Sequence, residues 1–199
     1  MRMRKRKWVE PFLNEENDYL ISDAKNFDNI YLEIGMGMGD FICNSANINK
    51  DNFYIGLEKD ATCVARAIKK AKELNITNLK IIKTDASSIL DIFNPKSINT
   101  IYLHFSDPWP KKHHHKRRLT YPSFLKKYET LLKDDGVIVI KTDNINLFTD
   151  TLEYIKLSNF KILEVNDNYH KIKRTEPLTA YEDKFVKQGL PIYYIRLSK

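Results

Sequence analysis

The chain has 199 residues, 42% of them hydrophobic and 30% charged, with a net charge of +7 and two cysteines. That composition supports one substantial core and excludes a disordered, collagen-like or disulfide-stapled protein. No stretch approaches the roughly 18 apolar residues of a membrane span, and MRMRKRK is followed by WVEPFLNEEND, which lacks the apolar run of an export signal. The expectation is a cytoplasmic protein with no membrane partner, whose Cys43 and Cys63 stay reduced and pack in helices.

The charge is unevenly spread. Arg2, Arg4, Lys5, Arg6 and Lys7, with Lys111, Lys112, Lys116, Arg117 and Arg118, put ten positive charges into two acid-free segments and leave 23 basic against 26 acidic residues elsewhere. Concentrated patches on an otherwise slightly acidic chain point to a polyanionic partner. Residues 1–13 read as a basic N-terminal arm and 14–199 as a single domain.

In chain order, IYLEI (30–34), FYIGL (53–57), LKII (79–82), INTIYLHF (98–105) and VIVI (137–140) read as buried strands. Helical patterns lie between them. The clearest covers 60–75, with Asp60 as cap and Val64, Ala67, Ile68, Ala71 and Leu74 as one apolar stripe. FKILEV (160–165) and PIYYIRL (191–197) read as added edge strands. The alternation predicts an α/β fold: a doubly wound, mostly parallel, Rossmann-like sheet in one domain.

Open parallel sheets bind ligands beyond the carboxyl ends of their strands, and there this sequence sets Glu33, Glu58, Asp85, Asp107 and Asp143. Each acid has a plainer reading as the cap of a following helix, which applies most to Asp85 and Asp143. After the first of the five strands, Gly35, Gly37 and Gly39 form a turn that a ligand can approach closely. Asp40 stands where a dinucleotide fingerprint needs a small residue, and with Glu33 it would repel a pyrophosphate. This disfavours a nicotinamide oxidoreductase and favours a cofactor with a positive charge and a ribose.

In SDPWPKKHHHKRRL (106–119) two prolines predict a stiff, extended turn that fixes Asp107 at the lip of a basic run. Trp109 is open to stacking on an unpaired base or to packing under the turn, and its flanking prolines favour packing. Three adjacent histidines do not close a tetrahedral site and no cysteine lies near, so no metal is expected.

The E-I-G-x-G-x-G turn, with an acid after the next strand, resembles the class I S-adenosylmethionine-dependent methyltransferases. That resemblance implies S-adenosyl-L-methionine as cofactor and S-adenosyl-L-homocysteine as product, with Glu58 on the ribose hydroxyls and Asp85 by the adenine. SDPWPKKHHHKRRL, MRMRKRKW and the segment Thr179-Ala-Tyr181-Glu182-Asp-Lys184-Phe185 are similar, in the same order, to the bacterial tRNA (guanine-N(7)-)-methyltransferases. By this resemblance the chain methylates the 7-nitrogen of a guanosine in the tRNA variable loop. Glu33, Gly35, Gly37, Gly39, Glu58, Asp85 and Asp107 would hold the cofactor, with Asp107 also catalytic. Lys111, Asp143, Thr179, Tyr181 and Glu182 would face the guanosine, and His113, His114, His115, Lys116, Arg117 and Arg118 would contact RNA. The partner would be tRNA and the protein a monomer or homodimer. The alternatives are a non-catalytic RNA-binding protein on this scaffold and a methyltransferase acting on another RNA.

Overall fold

A computed structural model describes residues 6–15, 18–169 and 180–199. Its elements run α1 (Val9–Asn14), β1 (Leu20–Ile21), β2 (Ile30–Ile34), α2 (Asp40–Ile48), β3 (Phe53–Glu58), α3 (Ala61–Glu73), β4 (Leu79–Lys83), α4 (Ile89–Ile92), β5 (Ile98–His104), α5 (Pro122–Leu131), β6 (Leu132–Thr142), α6 (Ile145–Ile155), β7 (Lys161–Asn166), α7 (Ala180–Lys187) and β8 (Tyr193–Ser198). Short 3₁₀ turns at Ala86–Ser88 and Lys112–Arg117 follow β4 and β5.

The strands form one sheet in the order β1-β4-β3-β2-β5-β6-β8-β7. All pairs from β1 to β6 are parallel, whereas β8 is antiparallel to both β6 and β7. Parallel strands need both faces covered, which is why they read as continuous apolar runs. Helices α1, α2 and α3 cover one face around Phe41, Val64 and Ile68, and α4, α5 and α6 cover the other around Leu125, Tyr128 and Phe148. Strand order reverses between β2 and β5, so a crevice opens beyond their carboxyl ends.

Local sequence explains the ends that border this crevice. Asp60 caps α3 by accepting from the Thr62 and Cys63 N–H groups at 2.9 and 3.1 Å, an interaction worth about 1 kcal/mol. Gly39, at φ +77°, starts α2 against α3: a Cβ there would lie 2.7 Å from the Ala67 Cβ. Its glycine is therefore required by helix packing.

The structure revises several expectations. The stripe residue Leu74 is half-exposed, because α3 ends at Glu73 and Asn75 turns the chain at φ +49°. The run at 191–197 is not at an edge: β8 inserts between β6 and β7, burying Tyr194, Ile195 and Leu197. The expected arm boundary at residue 13 falls inside α1, whose Val9 and Leu13 are buried in the cluster with α2 and α3. No helix among the described residues is long and apolar enough to cross a membrane.

Candidate active site

A cavity of about 740 Å³ opens at the reversal, bounded by Gly35, Glu58, Asp85, Asp107 and Arg117 among others. Four strands thus deliver their carboxyl-terminal residues to one space. Glu58 ends β3 and reaches across to the glycine turn, where its Oε2 accepts from the Gly37 N–H at 3.1 Å. Its Oε1 accepts from the Lys59 and Asp60 N–H groups at 2.8 and 2.9 Å. A carboxylate has about four acceptor positions, so Oε2 retains capacity for one more donor in the cavity.

Asp85 follows β4 and accepts from the Ser87 N–H at 2.9 Å, so it does cap the short 3₁₀ turn while still bordering the cavity. That bond, opposed by partial burial and helped by Lys59 3.8 Å away, holds its pKa below the ordinary carboxyl value. Asp143 behaves oppositely: the cap of α6 is Asn144, whose side chain accepts from the Leu147 N–H at 2.9 Å. The capping alternative thus holds for Asp85 and fails for Asp143.

Asp107 is exposed on the turn after β5. The turn is held by two non-glycine residues of positive φ, Phe105 at +50° and Trp109 at +40°. Such conformations cost on the order of 1–3 kcal/mol each and persist only where surroundings impose them. The extended conformation expected before Pro110 is therefore not what Trp109 adopts. Its ring packs under the Arg117 guanidinium, 4.9 Å from the centroid, and edge-on to His114 at 5.6 Å.

Glu33 departs from its expected role. It is 3% exposed and absent from the cavity wall, with its Oε1 3.5 Å from the His104 Nδ1. Burial raises the Glu33 pKa well above the usual range, against the opposing pulls of the Ile42 N–H and Lys141. Burial, reinforced by Lys141, lowers that of His104. Both directions favour neutral forms, so this contact is not an ion pair. Gly37 and Gly39 also stand off the wall, whereas Gly35 lies on it.

On the far side of the turn, the Tyr181 hydroxyl donates to Asp143 Oδ2 at 3.3 Å and its ring lies 4.7 Å from that of Phe105, which lines the cavity. Glu182, one residue on, points the other way: it is fully buried with Oε1 3.6 Å from the buried Lys141 Nζ. It does not present its carboxylate to the cavity. Lys111 is exposed and does not line the cavity, and Thr179 lies outside the described residues.

The basic run divides into two groups. Lys116 and Arg117 are exposed on the cavity wall, and His113 is exposed but not part of it. His114 packs on Trp109, and His115 bonds inward to Arg118 and Tyr154 at 2.9 and 3.3 Å. Arg118, expected on RNA, is 2% exposed and occupied by protein partners.

Comparison with known proteins identifies the family. A family model described as a putative methyltransferase matches residues 28–195. The tRNA (guanine-N(7)-)-methyltransferase of Macrococcus caseolyticus is 41% identical, covering 96% of this chain and 97% of that one. The Bacillus subtilis protein of the same name is 39% identical over 97% and 96% of the two chains. This chain belongs to the tRNA (guanine-N(7)-)-methyltransferase family. Solved methyltransferases share the fold: an antibiotic-related enzyme has a TM-score of 0.62 at 17% identity over 87% and 88% of the chains. The Geobacter metallireducens precorrin-6y C5,15-methyltransferase has 0.61 at 15% over 100% and 90%.

For a member of the tRNA (guanine-N(7)-)-methyltransferase family, two buried polar residues went unremarked in the sequence: His104 and Lys141. Both sit in apolar strand runs, IYLHF and VIVIK, where a polar side chain at a core position is itself the signal. Lys59 and Lys127 on the cavity wall carried no local pattern that marks them, and Phe105, read as the last residue of a buried strand, instead follows β5 and starts the turn at φ +50°.

Proposed function

We propose that this chain transfers a methyl group from S-adenosyl-L-methionine to the 7-nitrogen of a guanosine in the tRNA variable loop. One observation carries the reading: a single cavity joins the Glu58 and Asp85 side to Asp107 and to the cationic Lys116 and Arg117. A nucleoside cofactor and a polyanionic substrate have complementary walls of one space.

The residues present fit the cofactor. Glu58 Oε2 keeps an acceptor position for a ribose hydroxyl, and Asp85 lines the same cavity as Ala86 and Phe124. When bound, S-adenosyl-L-methionine supplies an electrophilic methyl on a sulfonium. Gly35 leaves the backbone open beside it, as a Cβ there would meet only Leu119 at 3.8 Å.

The 7-nitrogen of guanine already carries an in-plane lone pair, so no residue has to remove a proton from it. Holding donor and acceptor in line is then the main task, and it supplies up to roughly 7–11 kcal/mol in well-oriented systems. The methylated base is cationic. Asp107, the one carboxylate on the strained turn, faces that developing charge and opposes it. Asp143 and Tyr181, joined beside Phe105, are the groups for the guanine edge. Lys116 and Arg117 take the phosphates.

The test is incubation with labelled S-adenosyl-L-methionine and unmodified tRNA, then nucleoside digestion. Labelled 7-methylguanosine is the expected product. Binding of tRNA without methyl incorporation would favour the non-catalytic alternative, and label in a different nucleoside would redirect the substrate.

A further inference from the structure

Arg118 ends the basic run in sequence but is among the largest fully buried side chains of the protein. Its guanidinium touches three separate pieces of chain. Nε donates to the Pro108 carbonyl at 2.7 Å, one terminal nitrogen donates to Asp150 Oδ2 at 2.5 Å and to the Tyr154 hydroxyl at 3.2 Å, and the other meets His115 Nε2 at 2.9 Å. Arginine has only donors, so His115 Nε2 must accept and the histidine proton sits on Nδ1, 3.3 Å from the Tyr154 hydroxyl. The fork is thus used in several directions at once, which a lysine ammonium does not reproduce.

What this cluster grips is the turn that carries Asp107. Pro108 directly follows Asp107, and the turn is bounded by the left-handed residues Phe105 and Trp109. One end is fixed to the sheet by the Phe105 N–H, which donates to the Lys141 carbonyl at 2.8 Å. The other is fixed at the Pro108 carbonyl by Arg118, and Arg118 is in turn tied to α6 through Asp150 and Tyr154.

We infer that Arg118 is a positioning residue: by holding the Pro108 carbonyl it fixes the strained 105–109 turn, and with it the Asp107 carboxylate, while Asp150 balances its charge. Lys116 and Arg117 of the same run, exposed on the cavity wall, are left for the polyanion. The inference rests on the methyl-transfer reading, because it matters for rate only if Asp107 acts on the reacting base. A misplacement of about 1 Å in such a site costs roughly a hundredfold in rate.

Three variants test it: Arg118→Lys, Arg118→Gln and Asp150→Asn, each made also in a Trp8→Phe background. The chain has two tryptophans, so that background leaves Trp109 as the sole emitter on the turn. The expected result is a loss of tenfold or more in single-turnover methylation for all three, at saturating tRNA and cofactor. The slope of log tRNA affinity against log salt should not change, and acrylamide quenching of Trp109 should rise at least twofold. An RNA contact predicts the reverse. Arg118→Lys would keep full rate, Arg118→Gln would lower the slope by about 0.7–0.9, and Asp150→Asn would be neutral; that pattern overturns the inference. Unchanged Trp109 quenching in soluble, cooperatively folded variants overturns it as well. Should Arg118 variants not fold, Asp150→Asn decides alone. Trp109 quenching reports on the clamp even if the parent protein methylates no tRNA, which separates failure of this inference from failure of the reading beneath it.

Discussion

Gly37 and Glu58 are joined across the carboxyl edge of the sheet, the glycine N–H donating to Glu58 Oε2 at 3.1 Å while Oε1 takes the Lys59 and Asp60 N–H groups. One carboxylate therefore sets the shape of the glycine turn and still offers an acceptor to the cavity. Glu58→Ala removes both functions. A hydrogen bond to a charged group contributes roughly 1.5–3 kcal/mol, so S-adenosyl-L-homocysteine affinity should fall by at least about tenfold in calorimetry, with tRNA affinity nearly constant. Unaltered binding of the product would remove Glu58 from the cofactor site.

Lys141 and Glu182 are both buried, and their contact pins α7, and so Tyr181, to the centre of the sheet. Removing one partner of a buried charged pair typically costs about 3–5 kcal/mol. Lys141→Met should therefore destabilise the protein strongly in urea unfolding, and Lys141→Met combined with Glu182→Leu should recover much of the loss. A double variant no more stable than Lys141→Met would show that the two charges are not coupled.

His104 lies between Phe41, edge-on at 4.3 Å, and Glu33. Burial, then the Lys141 charge, hold its pKa well below the ordinary 6.5. Below about pH 6.5 the unfolded chain protonates this histidine and the folded one does not, so the stability it contributes is present above that pH. It is lost as pH falls through the folded value. Glu33 works oppositely, since its raised pKa gives a contribution present below 4.5 and lost as pH rises. Comparing parent with His104→Asn isolates the histidine: the parent's advantage in unfolding free energy should shrink as pH drops below about 6.5. A difference independent of pH would contradict the buried neutral assignment.

The five parallel strands β2 to β6 were legible because strands buried on two faces are apolar throughout, and helix α3 because Asp60 and its stripe announce it, whereas the two-residue β1 (Leu20–Ile21) is too short to carry a pattern. The insertion of β8 between β6 and β7 was not legible either, since which strand a run pairs with is decided by distant partners. The same limit applied to the site. Glu58, Asp85 and Asp107 reach one cavity as their strand-end positions predict. Glu33 lies inside β2, in register with Gly56 and two positions short of Glu58, so its carboxylate stays within the buried sheet and does not reach the cavity beyond the strand ends. Arg118 looked like its neighbours Lys116 and Arg117 because charge alone does not reveal that Asp150 and Tyr154, more than thirty residues away, wait to receive it.

The most direct test of the account is the single-turnover rate of Asp107→Asn with tRNA and cofactor saturating. Asparagine nearly preserves size and keeps an acceptor oxygen but removes the charge proposed to oppose the cation forming on the base. Losing one preorganised electrostatic group costs about 2.7–4 kcal/mol. The predicted result is a fall of about two to three decades in the rate of 7-methylguanosine formation, with tRNA affinity unchanged. A variant that methylates at close to the parent rate would contradict it and reduce Asp107 to a structural residue of the turn, making Asp143 the better candidate.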